Sequence, residues 1–171
     1  PEVQSCLQSL IRHTPHWVRI ILIDDASSDP RIPKLLQRFA QYSNISVFEN
    51  SSNLGYTRTV NKGIELAEPS DLIVLNSDTR VTSGWIRKLR LAAYSGKGVG
   101  TVTPVSNNAG AFSVPQVGRE NPVPVWLGLE QYARAITQGS EGLYPETPTG
   151  NGFCMYIRRD CIREVGKMDA K

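Results

Sequence analysis

The chain has 171 residues, 40% of them hydrophobic and 20% charged, with a formal net charge of +3. This is ordinary globular composition at the size of one domain, which excludes a disordered or collagenous chain. The small positive charge comes without any Lys/Arg block, so it gives no ground for a nucleic-acid partner and suits an anionic ligand only weakly.

The first half alternates regularly. Val3, Cys6, Leu7, Leu10 and Ile11 have helical spacing, Val18–Ile23 reads as a strand, and Ile32, Leu35, Leu36 and Phe39 mark a second helical face. Ile45–Phe48 is a short strand; Tyr56, Val60, Ile64 and Ala67 lie on one helical face; Asp71–Leu75 is a strand, Ser83–Tyr94 a helix and Val99–Val102 another strand. Strands and helices in this order predict an α/β domain with a mostly parallel sheet, helices on both faces and right-handed crossovers. From Pro104 to Pro124 the chain is rich in Pro, Asn, Gly and Ser and has no sustained period, so it reads as a long loop facing a substrate. Leu127–Thr137 is a predicted helix, Gly139–Pro148 a loop, Gly152–Ile157 a strand, and Asp160–Val165 a helix stopped at Gly166. Cys6, Cys154 and Cys161 cannot all pair and lack C-x-x-C spacing, which points to reduced thiols in a cytosolic setting. No apolar run approaches the roughly 20 residues that span a bilayer, and no signal-peptide pattern opens the chain.

Two of the predicted strands end in acidic and polar residues: IILIDDASSD at Ile20–Asp29 and LIVLNSDT at Leu72–Thr79. In open parallel sheets ligands collect beyond the carboxyl ends of the strands. A carboxylate there accepts from a hydroxyl or an imide N–H, or holds a hard divalent cation. The other reading is that Asp and Ser only cap the next helix and shape the turn. Between these strand ends lies NLGYTRTVNKG at Asn53–Gly63, a Gly turn entering a helix that carries Arg58 and Asn61. A helix N-terminus favours anions and Gly55 permits the tight entry. Here too the alternative is plain: Asn53 caps, and Arg58 and Asn61 lie on the surface.

Four segments in this order, IDDASSD (Ile23–Asp29), NLGYTRTVNKG (Asn53–Gly63), LIVLNSDTRV (Leu72–Val81) with Gly84-Trp85, and PTGNGFCMYIRRDCIREVGKMD (Pro148–Asp169), span most of the chain. Together they resemble the family 2 glycosyltransferases of the GT-A fold, which use nucleotide-sugar donors. The resemblance implies a Rossmann-like sheet and a single glycosyltransferase domain over 1–171, with a nucleotide-sugar donor half at 1–103 and an acceptor-side half at 104–171. It implies that Asp25 contacts the nucleotide base with Asp24 in support, and that Ser27, Arg58, Asn61, Asn76 and Ser77 line the donor side. Asp78 matches the last carboxylate of the family's DxD motif, which binds a divalent cation, Mg²⁺ or Mn²⁺, bridging the donor diphosphate. The motif reads Asn76-Ser77-Asp78, so the first position brings an amide and no negative charge. Thr149, Gly150, Asn151, Gly152, Trp126 and Asp169 fall on the acceptor side, where Gly lets backbone approach a sugar closely. For the glycines a strand bend before Phe153 is the competing reading.

The implied activity is transfer of a sugar, UDP-linked by default, to an acceptor hydroxyl with inversion, in polysaccharide or glycoconjugate synthesis. This reaction needs a general base on the acceptor side. In the family the base follows the segment matched here by Gly166–Asp169, so it is expected beyond Lys171 and no catalytic residue is assigned. A non-catalytic nucleotide- or carbohydrate-binding scaffold of the same fold is the alternative; Asn76 favours it. Trp85 reads as core, and His13 and His16 as solvated loop residues. The partners implied are a nucleotide-sugar donor and a saccharide or other hydroxyl acceptor. The location implied is the cytoplasm, at the inner face of a membrane in a longer protein. The chain opens in a helix without Met and stops soon after another, which reads as a fragment; a strand absent before Val3 would leave two strands with an unpaired edge.

Overall fold

In the computed structural model, residues 1–170 are described. Six α-helices and five strands alternate in the order α1 (Glu2–His13), β1 (Ile20–Asp24), α2 (Arg31–Phe39), β2 (Ile45–Glu49), α3 (Tyr56–Leu66), β3 (Leu72–Leu75), α4 (Trp85–Ala93), β4 (Thr101–Val102), α5 (Leu129–Gly139), β5 (Cys154–Ile157) and α6 (Arg159–Val165). A single 3₁₀ turn at Gly110–Phe112 lies between β4 and α5. The chain divides into two compact units, one of Pro1–His13 with Ile73–Ile157, the other of Thr14–Leu72 with the segment from Arg158 onward.

In the second unit β1 and β2 run parallel, from Ile20 opposite Ile45 to Asp24 opposite Glu49. Parallel strands need a crossover, and α2 supplies it, packing on both strands while α3 packs on β1. Leu36 of α2, Ile45 of β2 and Ile64 of α3 are buried, so each helix turns its apolar stripe inward. The entry to α3 uses Gly55 at φ 80°, a backbone conformation that side chains disfavour. Buried Arg159 closes the unit: its Nε donates to the carbonyl of Ser70 at 2.8 Å, its Nη2 to that of Ile64 at 3.2 Å, and its own N–H to Asp71 Oδ1 at 2.9 Å.

In the first unit the strand order is β3-β5-β4, with β4 and β5 antiparallel through Thr101 opposite Ile157 and Val102 opposite Tyr156. Leu89 and Ala93 of α4 form a core with Cys154 and Tyr156 of β5, against which Ile73, Leu75, Trp85, Val102 and Phe153 pack. Trp85 is therefore core, as its place in an amphipathic helix predicts. Helix α1 buries Cys6, Leu7 and Leu10.

The alternating α/β order is as read from the sequence. The sheet differs from one parallel array: the described strands form two hydrogen-bonded sets, and β5 returns beside β4 in the opposite sense after a long excursion instead of through a helical crossover. β1 pairs only with β2, and β3 stands at the end of its set, so each has a single neighbour among the described residues. The predicted loop after Pro104 is held by its own side chains. Asn121, buried, donates to the carbonyls of Gln116 at 2.9 Å, Arg119 at 3.0 Å and Asn107 at 3.3 Å, and accepts the N–H of Gln116 at 3.0 Å. His13 is not a solvated loop residue: it ends α1 and its Nε2 lies 3.1 Å from Glu130 Oε1 of α5, which also accepts the N–H of Ser83 at 3.1 Å. Helical spacing continues through Ile11, and the sequence has no marker that would have extended the helix by two residues.

Candidate functional site

The first group of predicted residues follows β1, within the second unit. Asp24, buried, accepts the N–H of Ser27 at 3.0 Å and its hydroxyl, closing a turn in which Ala26 takes φ 56°. Asp29 accepts the N–H of Arg31 at 2.9 Å at the start of α2 and pairs with the Arg31 guanidinium, which together hold its carboxyl down at about 2. These bonds shape the turn before α2, as the turn reading has it for Ser27 and Asp29.

Asp25 is engaged differently. Its Oδ1 accepts from Asn50 Nδ2 and from the N–H of Leu54, both at 2.8 Å, and its Oδ2 accepts the N–H of Gly55 at 2.9 Å. The anion that the N-terminal turn of α3 favours is thus supplied from within the chain. The Asn50 bond, then the Leu54 N–H, lower the Asp25 carboxyl below its ordinary value. Asn50 is buried; it also donates to Thr59 Oγ1 at 3.1 Å and accepts from Lys62 Nζ at 2.6 Å. Asn50 and Lys62 are absent from the residues singled out by sequence. Parallel pairing of β1 and β2 is the signal that finds Asn50, since it places the residue after Glu49 next to the residue after Asp24.

Arg58 lies exposed on the first turn of α3 and makes no hydrogen bond or ion pair among the described residues. Asn61, one turn further, has both ends of its amide on the backbone of Met168: Nδ2 donates to the carbonyl at 2.8 Å and Oδ1 accepts the N–H at 2.9 Å. Asp169, the next residue, is exposed. A Cβ added at Gly63 would sit 3.5 Å from Ile23 Cδ1, an ordinary contact.

The second group follows β3, within the first unit. The N–H of Asn76 donates to the carbonyl of Phe153 at 2.9 Å, the Asn76 carbonyl accepts the N–H of Thr79 at 3.1 Å, and Thr79 Oγ1 reaches the Phe153 carbonyl at 3.3 Å. Asn76–Thr79 is therefore a tight turn pinned to the residue before β5. Ser77 and Asp78 are exposed on it, and neither the Asp78 carboxylate nor the Asn76 amide has a hydrogen-bond or ion-pair partner among the described residues. Beneath the turn, burial and then the negative charge of Asp78 push the Cys6 thiol up to about 11, and burial pushes Cys154 to about 12, so neither is a thiolate nucleophile at neutral pH.

On the predicted acceptor side, a Cβ at Gly150 would lie 2.8 Å from Met155 Cε and 2.9 Å from Thr103 Oγ1. The N–H of Asn151 donates to that same Thr103 oxygen at 3.1 Å, and Asn151 Oδ1 accepts the N–H of Phe153 at 3.1 Å. Side-chain packing at a bend before β5 accounts for Gly150. Thr149 Oγ1 bonds the Gly150 carbonyl at 3.1 Å, Gly152 is half-buried, and Trp126 is 82% exposed in the loop before α5.

The described residues contain no group of three or more His, Cys, Asp or Glu able to hold a metal ion. Of the carboxylates at the two strand ends, Asp78 is the one that is exposed and has no hydrogen-bond or ion-pair partner among the described residues, with the Asn76 amide two residues away. Hard divalent cations take six or more oxygens and Mg²⁺ keeps several from water and phosphate. The donor set here therefore fits a cation that brings most of its ligands with it. No helix among the described residues is long and apolar enough to cross a membrane.

Comparison with known proteins places this α/β fold with its carboxylate turn at a strand end. The model of the glycosyl transferase family 2 matches residues 1–166. The chain belongs to that family. It is 27% identical over 195 residues to N-acetylglucosaminyl-diphospho-decaprenol L-rhamnosyltransferase of Mycobacterium tuberculosis, in strains CDC 1551 / Oshkosh and ATCC 25618 / H37Rv, covering 100% of this chain and 62% of that protein. The chain thus spans about three-fifths of the length of these relatives. Among solved structures it is similar to the mannosyltransferase PcManGT from Pyrobaculum calidifontis in complex with GDP-Man and Mn²⁺, with TM-score 0.67 and 16% identity over 100% of this chain and 44% of that one. It is also similar to GalNAc-T7 with UDP, GalNAc and Mn²⁺, with TM-score 0.65 and 16% identity over 99% of this chain and 34% of that one. The fold is that of the GT-A glycosyltransferases.

Proposed function

We propose that this chain takes a sugar from a nucleotide-sugar donor, UDP-linked by default with GDP and dTDP as alternatives, and moves it with inversion to an acceptor hydroxyl. The observation that carries the reading is the Asp78 carboxylate, exposed and without a partner among the described residues, on a turn otherwise fixed by three hydrogen bonds. The turn is held without the Asp78 side chain, so the carboxylate is available to a ligand. Asp78 would hold Mg²⁺ or Mn²⁺, which when bound neutralises charge building on a leaving diphosphate. Asn76 would hydrogen-bond a ribose hydroxyl or a water; Arg58, without a partner among the described residues, would keep the donor-side role that the family resemblance implies. Asp25, the base contact that the resemblance implies, would act through the loop Asn50–Gly55 that it braces. The base that deprotonates the acceptor is not assigned to a described residue.

The mycobacterial relatives are named for rhamnosyl transfer to a saccharide on a diphospho-polyprenol. That makes a lipid-linked saccharide, in polysaccharide or glycoconjugate synthesis at the inner face of a membrane, the first acceptor class to try. The test is calorimetric titration of UDP, GDP and dTDP with and without Mn²⁺, alongside Asp78→Ala. Metal-dependent binding of one nucleotide, lost in the variant, is the expected result. A folded sample that binds none of them under any condition overturns the reading in favour of a scaffold.

A further inference from the structure

We infer that Asn61 is a positioning residue that clamps the segment Gly166–Asp169 onto α3, and that it does not contact the donor. Both polar ends of its amide are on the backbone of one residue, Nδ2 to the Met168 carbonyl at 2.8 Å and Oδ1 to the Met168 N–H at 2.9 Å. This is the pairing a neighbouring strand would give, supplied by a side chain. Asp cannot donate and Ser is too short to present both a donor and an acceptor, so the site calls for a carboxamide.

A second tie lies one helical turn along. Glu65 is four residues after Asn61, hence on the same face of α3, and it pairs with Lys167. Two consecutive residues of the segment are thus held by two side chains of one helix. The segment has no helix or strand of its own: α6 ends where the Gly166 N–H meets the Ile162 carbonyl at 2.8 Å, and Gly166 turns the chain at φ 94°. What fixes the backbone immediately before Asp169 is therefore Asn61. Turning the amide toward a nucleotide would break both bonds at once. The acceptor-side role of Asp169 rests on the proposed transferase function, whereas the clamp does not.

The test compares the parent chain with Asn61→Ala and Asn61→Gln by NMR hydrogen exchange, with nucleotide titration on the same samples. In Asn61→Ala the Met168 amide exchanges about tenfold faster or more, the β1 and β2 amides keep their protection, and nucleotide affinity stays within about twofold. The side-chain carboxyl resonance of Asp169 moves in the same variant. Asn61→Gln, with the same groups on a longer arm, falls between the two. Unchanged exchange at Met168 overturns the clamp, and an unmoved Asp169 resonance overturns the positioning role. Lost nucleotide affinity with exchange unaltered returns Asn61 to the donor. If the parent binds no nucleotide, the transferase reading fails while the exchange measurement still decides the clamp.

Discussion

Asp25 and Asp78 both stand just past the carboxyl end of an apolar strand, and the chain treats them in opposite ways. Asp25 is wrapped by Asn50, Leu54 and Gly55, its charge held by N–H groups of the loop that opens α3. Asp78 sits on a turn that is fixed without it, through the backbone of Asn76 and Thr79, and meets no cation or donor among the described residues. The same residue type at the same kind of position thus serves the loop in one unit and, in the other, has no partner among the described residues. What separates them is whether neighbouring backbone N–H groups converge on the carboxylate.

Replacing the open carboxylate has the largest expected effect on binding and the smallest on stability. Asp78→Ala lowers Mn²⁺-dependent nucleotide affinity by about a hundredfold or more, read by calorimetry, and leaves the melting temperature unchanged, as surface substitutions do. Next comes Gly150→Val, which drives a side chain into Thr103 and Met155 and costs about 1–3 kcal/mol in denaturant unfolding. Asp25→Asn removes the charge that the loop solvates and costs about 1–2 kcal/mol in the same assay. It also changes the acid limb of stability. Because the folded Asp25 carboxyl lies below its ordinary 3.8, its contribution is present above that pH and disappears as pH falls through the depressed folded value. Unfolding measured across this window is steeper in the parent than in Asp25→Asn. Smallest is Trp126→Ala: at 82% exposure the ring supports little packing, so stability changes by no more than about 0.5 kcal/mol and any loss shows only in acceptor binding.

The helices and strands were legible because their apolar periods are clean, and the boundaries observed lie within a few residues of those read from the pattern. The parallel β1–β2 pair follows from the intervening helix. The antiparallel β4–β5 pair was not legible, since the two-residue β4 and the irregular stretch before β5 carry no period that fixes direction. Of the site, the motif residues were visible as types and their engagement was not. Nothing local in NLGYTRTVNKG says that Asn61 reaches a backbone 107 positions away, or that Asp25 fills the turn opening α3. Long-range hydrogen bonds of Asn and Asp leave no periodic trace, and for the same reason Asn121, which ties the loop after Pro104, passed as one polar residue among many.

The most direct measurement is Mn²⁺-dependent nucleotide titration run in parallel on Asp78→Ala and Asp25→Asn, with the melting temperature of each. The account predicts that Asp78→Ala melts like the parent and loses metal-dependent binding, while Asp25→Asn melts a few degrees lower and still binds. Retained metal-dependent binding in Asp78→Ala, with loss confined to Asp25→Asn at parental stability, would contradict it.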